Sequence, residues 1–106
     1  MSNVIDILFG EPYTGETKFQ VGDVLKDAMF PSGERFTVLS IEVQQLNPFH
    51  TCVVYEMESN RHGHMNGLQE IIEHEGRFMV EKTNEEMRKL WNGLVERVKN
   101  GQLTRL

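Results

Sequence analysis

The sequence predicts a small α+β domain: a mostly antiparallel curled sheet or barrel of four or five short strands, followed by one C-terminal amphipathic helix. Three observations carry that expectation. Residues 18–82 alternate apolar and polar side chains at strand spacing, between clusters of turn-forming residues. From Met87 to Val98 the period changes to that of a helix. At 106 residues, with 39% hydrophobic and 25% charged side chains, the chain has the length and composition of a single globular domain, 1–106.

The elements follow in order. Val4, Ile5, Ile7 and Leu8 are spaced for one or two helical turns, capped by Ser2 or Asn3 and stopped by Gly10, with a short strand as the alternative. "EPYTGE" reads as a loop broken by Pro12 and Gly15. "KFQVGDVL" is a strand with a bend or bulge at Gly22-Asp23, and "FPSGE" is a turn. "RFTVLSIEVQ" is the strongest strand signal. Leu39, Ile41 and Val43 alternate on one face and Phe36 and Val38 on the other, so both faces are expected to be covered. After the break "LNP", "HTCVVYEME" places Val53, Tyr55 and Met57 on one face. "SNRHGHMNG" reads as a polar hairpin tip, since Asn66-Gly67 is a strong hairpin signal. "GLQEIIE" and "RFMVEK" read as two further strands separated by "HEG".

The last element is a helix over about 84–99. Met87, Leu90, Trp91, Leu94, Val95 and Val98 form one apolar stripe, and burial of Leu90, Trp91, Leu94 and Val98 in the core is the expectation. Thr83 and Glu86 have capping-box spacing, Lys99 suits the C-terminal dipole end, and Gly101 is a natural stop.

The pattern "FQVGDVL…ERFTVLSIE…CVVYEME…GRFMVEK" resembles the small SH3-like barrels over roughly residues 18–82. In that superfamily the first strand often ends in a turn like Gly22-Asp23, and a terminal helix often plugs an open end. Barrels of this kind share geometry more than sequence, and the resemblance implies, by analogy of fold, a binding module more often than an enzyme.

Charge narrows the partners. Net charge is −5, unevenly spread. Residues 1–76 hold 12 acidic and 4 basic residues, whereas residues 77–106 hold 4 acidic and 7 basic. An acidic body repels nucleic acid phosphate. The basic tail is read first as pairing with that body or as a solvated face. Cys52 is the only cysteine, so no intrachain disulfide and no four-cysteine zinc site can form. The N-terminus lacks a basic region, and Asp6 interrupts its apolar run, so no signal peptide is expected. No stretch reaches the ~20 apolar residues of a membrane span. A reducing cytoplasm is the expected location, without membrane association.

Four sets of residues could carry function. His62 and His64, one residue apart, would share a side in an extended segment and could hold one ion. The nearby donors Asn60, Asn66 and Glu58 complete a zinc shell poorly, so a polar loop is the leading reading. If strands 50–58 and 66–74 pair about the hairpin tip, His50 and Cys52 lie near His74, with Glu73 or Glu75 as a fourth ligand. That depends on register, and a one-residue slip reverses the faces. Arg88, Lys89, Arg97 and Lys99 on the last helix could contact nucleic acid phosphates. Phe30 and Phe49, each beside a proline, are the aromatic candidates for a protein contact. Phe19, Phe36, Tyr55, Phe78 and Trp91 occupy core-like positions instead.

"HEGRF" starts like the helical zinc-protease motif but has Phe78 where the second histidine belongs. No phosphate-binding or nucleophile-elbow motif occurs, and Cys52 between strand residues suits a small buried hydrophobe better than a nucleophile. No cofactor is expected; zinc is the metal the histidine and cysteine sets would take. The leading expectation is a non-enzymatic, regulatory or protein-binding module with a protein partner, a homodimer being compatible with the same features. A short, acidic, motif-poor chain is also similar to accessory proteins of phages and mobile elements that act on host machinery. The alternatives are nucleic acid binding by the helix and metal binding by the His/Cys set.

Overall fold

The strongly alternating middle of the chain forms a sheet, and the computed structural model describes it within residues 11–30 and 33–101. The helical spacing at residues 4–8 lies outside the described residues. The strands are β1 (Glu11–Pro12), β2 (Asp23–Asp27), β3 (Arg35–Asn47), β4 (His50–Ser59), β5 (Gly63–Leu68) and β6 (Phe78–Thr83), with helices α1 (Gln69–Ile72) and α2 (Glu85–Lys99). The sheet order is β5-β4-β3-β2-β6, with β1 also on β3, and every pairing is antiparallel. This is the expected α+β class. The sheet is open: among the described residues the outer strands β5 and β6 each pair with one neighbour.

The thirteen-residue β3 organises the sheet. Its first residues pair with β2 and its later ones, Glu42 and Val43, with β1, so β1 and β2 share one edge. The pair Glu11–Pro12, read as loop from its breakers, is therefore a strand. Pro12 is tolerated because the pairing is brief and peripheral.

Simple alternation fails along β3 for a local reason. The register with β4 shifts between Val38 and Ser40. A bulge inserts a residue and re-phases the strand. Phe36, Val38 and Ile41 therefore all enter the core, at 8%, 0% and 2% exposure, while Leu39 stays half-buried. The core is completed by Phe19, Val21, Leu25, Tyr55, Met57, Ile72 and Phe78. Two edge-to-face aromatic pairs fix its interior: Phe19 with Tyr55, centroids 6.3 Å apart, and Phe36 with Phe78 at 5.6 Å.

Two other expectations are corrected. The segment "GLQEIIE" is not a strand throughout. β5 ends at Leu68 and the chain turns into the four-residue α1. Ile72 folds back over the sheet, so close to Gly67 that a Cβ there would stand 2.7 Å from its Cδ1. The helix cap is Asn84 rather than Thr83. Asn84 Oδ1 accepts the N–H groups of Glu86 and Met87, at 3.1 and 3.2 Å. The Thr83 hydroxyl is used elsewhere, donating to the buried Asp23 carboxylate at 2.7 Å.

Helix α2 lies where its stripe predicts, but not as deeply. None of its residues is buried. Met87 and Trp91 pack against the core, Leu94, Val95 and Val98 are half-buried, and Leu90 is 77% exposed. The sheet fills its own interior with aromatics, so the helix covers an edge of the core rather than entering it.

Candidate functional site

The turn between β4 and β5 is built by side-chain hydrogen bonds that the sequence "SNRH" supplies. Ser59 Oγ accepts the N–H groups of Arg61 and His62, at 3.0 and 3.1 Å. The same hydroxyl donates to the Glu34 carboxylate, and His62 Nδ1 lies 2.6 Å from Glu34 Oε2. Asn60 Oδ1 accepts the Arg35 N–H at 2.9 Å, and its Nδ2 donates to Gly33 O at 3.3 Å. The hairpin tip is thus stapled to the start of β3.

His64 has a different neighbour. It lies on β5, and its Nε2 is 2.9 Å from Glu56 Oε1. The two histidines that stand one residue apart in sequence therefore take separate carboxylates, each in an ion pair when protonated. The second metal candidate is also dispersed. Residues 69–72 are helical, so no strand carries His74 back along β4. His50 and Cys52 overhang the end of β5 instead, lining a cleft of about 300 Å³ with Val53, Leu68, Gln69 and Glu70. His74 sits beyond α1, with Nδ1 3.0 Å from Glu75 O. Among the described residues no three His, Cys, Asp or Glu side chains are placed to hold one metal ion.

The hydrogen bond from Ser59, reinforced by that of His62, holds the Glu34 carboxyl below its ordinary value of 4.5. A carboxylate lowered on folding stabilises the fold above its unfolded pKa and loses that contribution as pH falls through its folded value. Acid titration of the wild type should therefore loosen the hairpin tip below about pH 4.5. Glu34→Gln should flatten that limb, and amide exchange of Arg61 and His62 reads it directly. At neutral pH the double change His62→Ala and His64→Ala should move stability by less than about 0.5 kcal/mol, as for exposed positions.

The four helix cations do not form a single basic face. At 3.6 residues per turn, Arg88, Lys89, Arg97 and Lys99 spread over about half the circumference, interleaved with Glu85, Glu86 and Glu96. Arg88 is half-buried, its Nη1 is 3.6 Å from Glu85 Oε2, and its Nε is enclosed without a hydrogen-bond partner. A phosphate would meet mixed charge there.

Phe30 and Phe49 are both outside the core, at 71% and 96% exposure. They stand at opposite ends of β3, Phe30 before its first residue and Phe49 after its last, so they do not form one surface. The sequence reasoning missed Met29, 68% exposed beside Phe30. The signal was present in the sequence: two large apolar residues stand between Asp27, which ends β2, and the breaker residues Pro31 and Gly33. The backbone there is fixed. Ala28 N–H donates to Arg77 O at 2.9 Å, Met29 N–H to Asp27 Oδ1 at 2.9 Å, and Phe30 N–H to Asp27 O at 3.2 Å.

A further groove of about 470 Å³ runs between residues 13–21 and α2, lined by Tyr13, Glu16, Thr17, Gln20, Trp91 and Asn92 among others. No protein-family model matches the chain, and no curated protein or solved structure matches it. No described helix is long and apolar enough to cross a membrane.

Proposed function

We propose that the chain is a non-enzymatic protein-binding module whose principal contact is the Met29–Phe30 tip. The observation that carries this reading is a turn whose backbone is held by three hydrogen bonds while it presents two large apolar side chains to solvent. Aromatic anchors supply much of interface energy, and a pre-ordered loop loses little entropy on binding. The acidic body favours encounter with a basic protein face. The likeness of residues 18–82 to SH3-like barrels supports a binding role, and the free Cys52 suits a reducing cytoplasm.

A photoreactive cross-linker placed at position 30 should capture a protein from native lysate, and the same group at the exposed Glu75 should not. The double variant Met29→Ser, Phe30→Ser should lose that protein in a pull-down while its melting temperature stays within about 2 °C of wild type, since both side chains are exposed. Retention of every wild-type partner by the double variant would refute this role for the tip.

A further inference from the structure

We propose that α2 is a self-association surface, pairing antiparallel with α2 of a second copy of this chain. The starting observation is the exposed half of the apolar stripe. Leu90 is 77% exposed and borders a shallow apolar groove of about 240 Å³ with Leu39, Trp91 and Leu94. This face is separate from the Met29–Phe30 tip and does not depend on it.

Charge and shape select the occupant. Glu86, Leu90, Gly93 and Arg97 fall at i, i+4, i+7 and i+11, which places them along one outward ridge of a helix. That ridge is self-complementary about a point between Trp91 and Asn92. A two-fold axis there sets Glu86 opposite Arg97 of the second copy and Leu90 opposite Gly93 of the second copy, each contact made twice, as an isologous interface requires. Among the described residues, neither the Glu86 nor the Arg97 side chain has an ion-pair partner. Gly93, the weakest helix former after proline, has nothing within 4 Å of where its Cβ would be. An opposing leucine would fill that space. A parallel arrangement would instead oppose Glu86 to Glu86 and Arg97 to Arg97, so the charge pattern fixes the direction. It also sets acidic N-terminal turns beside basic C-terminal turns, in the sense the helix dipoles favour.

One fifteen-residue helix on each side buries less than a standard interface, so the dimer is weak, with a Kd of order micromolar. Sedimentation velocity of the full chain from about 5 to 500 µM, bracketing that range, should show a concentration-dependent shift from monomer to dimer, reduced by added salt. Leu90→Asp should raise the Kd at least tenfold with an unchanged circular dichroism spectrum. Arg97→Glu should weaken association, and Arg97→Glu combined with Glu86→Arg should restore it. In a Cys52→Ser background, mixing Glu86→Cys with Arg97→Cys should give a disulfide-linked heterodimer faster than either variant links to itself. Should Leu90→Asp fail to fold, the charge exchange and the cysteine pairing decide the question alone. A monomer at every concentration overturns the proposal, and so does a dimer insensitive to these changes. A monomer that captures a different protein through Leu90 overturns it too, by assigning the face to that partner.

Discussion

Tyr55→Ala should cost about 3–5 kcal/mol, the range for deleting a buried large aromatic side chain. Domains of this size have a total stability of about 5–15 kcal/mol, so the variant should be substantially unfolded at ambient temperature. Tyr55 is fully buried on β4 and lies edge-to-face against Phe19. Its hydroxyl also ties three segments together. It donates to the Glu73 carboxylate just after α1 and accepts the Phe19 N–H at 3.4 Å. The same Glu73 oxygen accepts Lys18 N–H at 3.0 Å and Gln69 Nε2 at 3.1 Å. Tyr55→Phe keeps the ring and removes the hydroxyl, so it should cost less, about 1–3 kcal/mol for partners left without their donor or acceptor. The two variants separate packing from hydrogen bonding in urea melts at neutral pH. A second readout comes from alkali. Burial, and then the bond to Glu73, push the Tyr55 phenol well above its ordinary value of 10. A raised pKa gives stability that is complete below the unfolded value and lost as pH rises towards the folded one. Wild type should therefore weaken above pH 10 more steeply than Tyr55→Phe. Equal alkaline slopes would show that the phenol is not held in this way.

How far the fold was legible depended on whether the interactions were local. Period-2 alternation placed the extents of β4 and β6 well, although β6 carries an extra residue at Glu81 opposite Val24–Leu25 and so changes phase within the strand. It mistook the faces of β3, because the bulge at Val38–Ser40 is set by pairing with β4, which no single strand records. It extended the last hairpin through residues 69–72, because Ile71 and Ile72 suit a strand locally and only the packing of Ile72 against Gly67 turns the chain. Helix α2 was readable from its stripe, but its depth was not. Depth depends on how much core the sheet's own aromatics already fill, which is a property of the assembled fold.

The candidate sites follow the same division. The exposure of Phe30 and Phe49 could be read from the prolines beside them. Their separation could not, because it depends on β3 being one long strand between them. The spacing of His62 and His64 favoured a polar loop and left a shared ion as the alternative. Glu34 and Glu56, distant in sequence, instead give each imidazole its own partner. Glu34 and Glu73 were invisible as organising residues because their partners lie 25 and 18 residues away along the chain, at Ser59 and Tyr55.

Gly22→Ala should be the most damaging change of a single methyl group, at about 2–4 kcal/mol from backbone strain plus overpacking. Gly22 has a φ of 95°, in the left-handed region that a β-carbon disfavours. A Cβ there would stand 2.5 Å from the Asn84 carbonyl oxygen, a backbone atom that cannot swing away. Relief requires moving the start of α2. That start is fixed on both sides: Gly22 N–H donates to Val38 O at 2.9 Å, and Asn84 N–H donates to Gly22 O at 2.9 Å. Asp23 next door accepts both the Gln20 N–H, at 2.9 Å, and the Thr83 hydroxyl. The Gly-Asp pair thus joins the bend before β2 to the junction of β6 and α2. The change should lower the melting temperature by roughly 8 °C or more for a domain of this length. It should also raise amide exchange in the first turn of α2 before the sheet is affected, because the helix makes the shallower contact with the core. A control at Gly76, also at positive φ but with no atom within 4 Å of an added Cβ, carries the conformational strain without the collision. Gly76→Ala should therefore cost clearly less. If the two substitutions prove equally mild, the close approach of Gly22 to Asn84 is not what holds α2 against the sheet.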